Sequence, residues 1–196
     1  MTTRRDFLKT MTMASAGLAL GTGDLLGAPI SVSQRKAAAD KVKIAYVGIG
    51  NRGEQIIGDF ARTGMVEVVA LCDVDMGAPH TQKVMSMYPK AKRFRDFRQM
   101  FDKAGNDFDA VAIATPDHSH FPITMLALAS GKHVYVEKPL ARTFYEAELL
   151  MQAALKRPNL VTQVGNQGHS EANYFQFKAW MDAGIIKDVT AVTAHM

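Results

Sequence analysis

The stretch V-K-I-A-Y-V-G-I-G-N-R-G, residues 42–53, limits what this chain can fold into more than any other. Six residues rich in apolar and β-branched side chains run straight into Gly48, Gly50 and Gly53, and an amphipathic segment over residues 54–62 follows. That order predicts a strand, a tight turn and a helix start. At the spacing G-x-G-x-x-G each glycine has its own task. Gly48 permits the turn, Gly50 lets a pyrophosphate approach the backbone, and Gly53 lets the helix pack closely on the strand. Unpaired N–H groups and the positive end of the helix dipole then face the phosphates. Asp73 closes the next apolar run, residues 66–72, at about the twenty-residue offset where a carboxylate meets a ribose hydroxyl. Gly48, Gly50, Asn51, Arg52, Gly53 and Asp73 therefore form a candidate dinucleotide site.

From Asp40 onward, apolar runs alternate with helical periodicity. Strands are expected over residues 43–47, 66–72, 92–94, 110–114, 133–136 and 161–164, with helices over 54–62, 80–87, 97–103, 120–129 and 144–156. Strands and crossover helices in alternation predict an α/β fold, a doubly wound parallel sheet covered on both faces. After Gly165 the character changes. A helix is expected over 171–182 and an alternating strand over 189–194, which has no partner in the remaining sequence. The expected division is a leader over 1–39, a nucleotide-binding Rossmann domain over 40–165, and over 166–196 a linker helix and first strand of an incomplete, truncated second α/β domain.

Lysine and arginine number 23 against 19 acidic residues, but the first 39 residues hold five basic and two acidic side chains, leaving 18 against 17 in the remainder. The basic balance belongs mostly to the leader and gives no reason to invoke nucleic acid. The single Cys72 excludes an internal disulfide and a cysteine-cluster metal site, and its place at a strand end marks it as a small core residue. Thr3-Arg4-Arg5-Asp6-Phe7-Leu8-Lys9 followed by a mildly apolar stretch over 11–26 resembles a twin-arginine export signal, which predicts a periplasmic or exported protein. Gly17, Gly21, Gly23 and Asp24 make that stretch a poor membrane-spanning helix, so no stable span is expected in the mature chain. Ala37-Ala38-Ala39 is the expected cleavage site, with Ala28 as the alternative.

Ligands bind such sheets at the carboxyl ends of the strands. There the chain places Thr115-Pro116-Asp117-His118-Ser119-His120 after the fourth strand and Glu137-Lys138-Pro139 after the fifth. The run over residues 115–139, together with the glycine fingerprint in the same order on the same strand ends, resembles the Gfo/Idh/MocA family of nicotinamide-dependent sugar and polyol oxidoreductases. The resemblance covers residues 42–196 and implies a second α/β domain that carries much of the substrate site and mediates assembly, hence a homo-oligomer at full length. It also implies that Lys138 stands beside the nicotinamide and the carbon that gives up hydride. An ammonium there can hold the substrate hydroxyl oxygen and help move its proton. Glu137 becomes a cofactor-side neighbour, Pro139 fixes the loop, and His120 caps the helix start near the nicotinamide, with Thr115 and Pro116 beside it. His118 and His120 form a pair, but only Asp117 accompanies them, so no metal is assigned.

Asp73 repels the extra phosphate of NADP and Val74 offers no offsetting cation, which favours NAD, while Arg52 in the turn keeps NADP open. At Gly165-Asn166-Gln167-Gly168-His169 the chain departs from an arginine that many family members carry. His169 is a candidate acid or base there, and the turn could equally be structural. The expected function is hydride transfer between NAD(P) and a sugar-like or polyol carbon, in a fragment incomplete for catalysis. The alternatives are an NAD-dependent glycoside hydrolase or lyase using transient oxidation, and a nucleotide-binding fragment without activity. Export favours the hydrolase because free NAD is scarce outside the cytoplasm. Lys138 favours the dehydrogenase.

Overall fold

Ile44 and Tyr46 of the first strand, β1 (Val42–Val47), are buried in one apolar cluster, while Ala45 and Val47 are buried in a second. A strand buried on both faces must be central in a parallel sheet, and it is. In a computed structural model of the chain, which describes residues 41–169 and 171–193, β1 lies between β2 (Val66–Cys72) and β4 (Ala110–Ile113). With β3 (Lys92–Phe94), β5 (His133–Val136) and β6 (Thr162–Val164) they form a six-stranded sheet of order β3-β2-β1-β4-β5-β6, every pairing parallel. The expected leader over 1–39 and its cleavage sites lie outside the described residues.

Two layers of helices cover the sheet. Ile56 and Ile57 of α1 (Arg52–Arg62) and Val84 and Met85 of α2 (Pro79–Met87) fill the cluster around Tyr46. Met100 of α3 (Phe97–Ala104), Ile123 and Leu128 of α4 (His120–Ala129), and Leu150 of α5 (Phe144–Leu155) fill the other. The helix starts follow from local chemistry. Pro79 opens α2, Asp96 accepts from the Arg98 N–H at the start of α3, and Thr143 with Glu146 makes a reciprocal capping box at α5. Chain order reverses between β1 and β4, so the connections from these two neighbours leave in opposite directions and open a crevice at their carboxyl ends.

Of the expected strand over 189–194, residue 194 lies outside the described residues. Residues 189–193 carry no strand pairing, since a strand needs a hydrogen-bonded neighbour and none is present among the described residues. The preceding helix, α6 (Ala172–Asp182), has no buried residue, and Phe175, Phe177 and Trp180 are exposed on it. No helix among the described residues is long and apolar enough to cross a membrane.

Candidate functional site

The crevice between β1 and β4 is a groove of about 600 Å³. Val47, Gly48, Gly50 and Asn51 form its floor, Cys72, Asp73 and Val74 one wall, and Ala114, Thr115, Pro116, His118 and Ser119 the other. Seven of the residues read as cofactor-binding from sequence are thus brought together: Gly48, Gly50, Asn51, Asp73, Thr115 and Pro116 line the groove, and Gly53 supports its floor.

The glycines divide their work as their spacing implies. Gly48 has φ +81, and a Cβ there would overlap the Ala114 carbonyl at the end of β4. A Cβ on Gly53 would overlap the Gly48 carbonyl, so the helix start lies directly on the turn. At Gly50 the atoms nearest to a Cβ are those of the His80 ring, a flexible side chain that also lines the groove, so this position meets a side chain rather than backbone. Asn51 takes φ 47 and ψ −103, a positive-φ conformation outside the left-handed helical basin, and makes no side-chain cap on α1. The N–H groups of the first turn of α1 therefore have no side-chain cap from Asn51. Glu54 in that first turn is paired with Lys83 at 2.5 Å, which offsets its negative charge near a phosphate seat. Space without a Cβ, an uncapped helix start and a carboxylate across the groove fit a dinucleotide.

Asp73 has two roles. One oxygen accepts from the Ile49 N–H at 2.9 Å and the other from the Asp75 N–H at 3.0 Å, which ties the end of β2 to the glycine turn. Each carboxylate oxygen has a further lone pair for a ribose hydroxyl. Beside it the Cys72 thiol is buried and pushed up to about 12, by burial first and then by the Asp73 and Asp96 carboxylates. It is a protonated core thiol and no nucleophile.

Three expectations change. Arg52 does not reach toward the groove. Its Nε and Nη2 donate to Glu137 Oε1 at 3.1 and 3.0 Å, and its Nη1 to Gln55. Burial by itself lowers the Arg52 guanidinium, but the hydrogen bond and charge of Glu137 outweigh it and the net shift is upward. Glu137, 4% exposed, is turned to Arg52 and the Tyr135 hydroxyl, also 3.1 Å away, rather than to the cofactor side. A carboxylate drawn into the interior needs such partners, and Arg52 supplies the cation. His120 does not cap the start of α4. Ser119 holds the N-cap position of α4, and the His120 ring is buried between two carbonyl groups.

Lys138 is exposed in the loop after β5, one strand over from the groove wall, and a cis peptide bond joins it to Pro139. His169 closes a short 3₁₀ turn, Gln167–His169, after β6. Gly165 is structural, since a Cβ would collide with the Tyr135 hydroxyl and Glu137. Among the described residues no three of His, Cys, Asp or Glu gather as a metal site. His80, Arg95, Phe97 and Arg98 line the groove without having been singled out in sequence. The available signal was that Arg95 to Arg98 follow directly on β3, at a strand end like the others. Cations thus do stand in the groove, Arg95 on the loop after β3 and Arg98 in the first turn of α3, rather than beside Asp73 in sequence.

Residues 42–165 match the Gfo/Idh/MocA oxidoreductases, a family described by its NAD-binding Rossmann fold. A glycosyl hydrolase family 109 protein of Shewanella pealeana is 31% identical over 167 residues, 77% of this chain and 36% of that protein. Inositol 2-dehydrogenase of Salmonella typhimurium is 31% identical over 147 residues, 74% of this chain and 43% of that one. Scyllo-inositol dehydrogenase from Lactobacillus casei, solved with bound NAD(H) and scyllo-inositol, superposes with a TM-score of 0.66 at 29% identity, covering 77% of this chain and 44% of that chain. The chain spans less than half the length of these relatives.

The division of labour among the glycines has a direct test. Gly53→Ala forces backbone apart and should lower the melting temperature and abolish NAD binding together. Gly50→Ala needs only a rotation of His80, so its melting temperature should stay within about 2 °C while NAD affinity falls. Thermal melts and NAD fluorescence titrations would expose the assignment as wrong if both variants lost stability equally.

Proposed function

The chain belongs to the Gfo/Idh/MocA oxidoreductase family, and from that premise we propose that it is the nucleotide-binding part of an NAD-dependent dehydrogenase acting on a sugar or polyol. The observation that carries the proposal is the groove at the β1–β4 crevice with Lys138 on the adjoining strand end. NAD bound there supplies the hydride acceptor or donor. Gly50 leaves room for the pyrophosphate, the start of α1 faces it with N–H groups, and Asp73 accepts from a ribose hydroxyl. Lys138 holds the substrate hydroxyl oxygen with its ammonium, and the proton leaves toward a base supplied outside the described residues or from the turn that carries His169. NAD rather than NADP is the proposed cofactor. Arg52, the cation that kept NADP open, is held by Glu137, although Arg95 and Arg98 bring positive charge to the same groove as Asp73.

A second reading is favoured by the family 109 relatives, among them the α-N-acetylgalactosaminidase of Shewanella oneidensis at 29% identity over 169 residues. In it a sugar carbon is oxidised and re-reduced within one turnover, and the acidified neighbouring C–H permits loss of the glycosidic group. The twin-arginine pattern at Arg4 and Arg5 supports export, and a cofactor retained through export suits this second chemistry.

The full-length protein separates the readings when assayed with myo-inositol, scyllo-inositol and p-nitrophenyl N-acetyl-α-galactosaminide. Net NADH formation on an inositol supports the dehydrogenase, and nitrophenol release without net NADH supports the hydrolase. Lys138→Ala should lower turnover roughly 100-fold or more with NAD affinity little changed; unchanged turnover removes Lys138 from the chemistry. NAD should bind more tightly than NADP, and Asp73→Ala should narrow the gap, so equal affinities in the unmutated protein overturn the preference. Arg4→Lys with Arg5→Lys should stop export, and periplasmic accumulation of that variant would rule the route out.

A further inference from the structure

His120 is 1% exposed, and both of its ring nitrogens are engaged. Nδ1 lies 2.6 Å from the Pro139 carbonyl oxygen and Nε2 lies 2.8 Å from the Thr115 carbonyl oxygen. These oxygens belong to different loops. Thr115 lies in the turn after β4 that walls the nucleotide groove, and Pro139 lies in the loop after β5 beside Lys138. The β4–β5 ladder reaches as far as the Glu137 N–H, which donates to the Ile113 carbonyl at 2.9 Å. Beyond it Pro139 has no N–H to donate, so the backbone cannot carry the ladder further. The imidazole takes over at that point. A carbonyl oxygen only accepts, so each contact needs a hydrogen on the ring nitrogen that makes it. A neutral ring closes one contact at a time and a doubly protonated ring closes both.

We propose that His120 is a positioning residue, a buried clasp that joins the groove wall at Thr115 to the loop at Pro139 and so holds Lys138 in register with the bound nucleotide. The consequence for catalysis rests on the reading that Lys138 faces the substrate; the clasp itself does not. Upstream of Lys138 the loop is already held, since Glu137 is locked to Arg52 and Tyr135. Downstream, His120 supplies the matching restraint, with Leu140 packed against the core. A lysine held on one side only would keep its reach and lose its aim, and a misplacement of about 1 Å at a reacting centre costs on the order of 100-fold in rate.

The test uses the full-length protein with its lysines ¹³C-dimethylated, the Lys138 signal being assigned from Lys138→Arg. In the unmutated protein that signal should shift on addition of NAD. In His120→Phe, which fills the space and donates nothing, the NAD-induced shift should be lost or broadened while the dissociation constant for NAD stays within about threefold, and hydride transfer should fall roughly 10- to 100-fold. His120→Gln, which retains one donor, should recover part of the shift. An unchanged Lys138 response in His120→Phe, or equal loss of NAD binding and response, overturns the clasp. Should His120→Phe not fold, the unmutated protein decides: ring N–H protons of His120 that exchange as fast as those of an exposed histidine contradict the clasp, and slow exchange supports it. The outcomes remain separable from the catalytic reading. If Lys138→Ala leaves turnover unchanged while the NMR response follows His120, the reading of Lys138 fails and the clasp stands.

Discussion

The whole site depends on a steric constraint between three backbone segments. The turn at Gly48 is pressed against the Ala114 carbonyl at the end of β4, and the start of α1 is pressed against the Gly48 carbonyl through Gly53. Neither contact leaves room for a single Cβ. With those contacts made, the start of α1 lies directly beside the groove, and Gly50 and Asn51 line it. Asp73 secures the arrangement from the far side through the Ile49 N–H, so one carboxylate braces the turn and also lines the groove.

Around that constraint the chain has invested its buried polar groups in holding loops together. Glu137 and His120 are among the few polar side chains taken into the interior, and they flank Lys138 on either side in sequence or space. Arg52 turns from the glycine turn to meet Glu137, which links the start of α1 to the loop after β5. The interior places a high cost on an unpaired carboxylate, so such a link is stiff once formed. Loops that carry chemistry gain most from this stiffness, because the backbone ladder that orders a sheet ends where they begin.

Much of the fold was legible because its signals are local. Apolar runs in strands buried on both faces act within a few residues, and the strands over 66–72, 92–94 and 133–136 stand where the pattern put them. Residues 189–193, which have no strand pairing among the described residues, mark the limit of such signals, since alternation describes a face to bury and a strand also requires a neighbour.

By itself the sequence determined that β1, the glycine turn and α1 come in succession, that Asp73 follows at the next strand end, and that Lys138 sits two residues beyond β5. Covalent neighbours and period-dependent burial suffice for that much. Only the tertiary structure decided what Arg52, Glu137 and His120 do, because the Arg52–Glu137 pair spans 85 residues and the His120–Pro139 contact 19, and both are chosen by burial rather than by adjacency. An arginine in a phosphate turn reads as a phosphate ligand until a desolvated carboxylate competes for it. A histidine at a helix start reads as a cap until two carbonyl groups close on its ring.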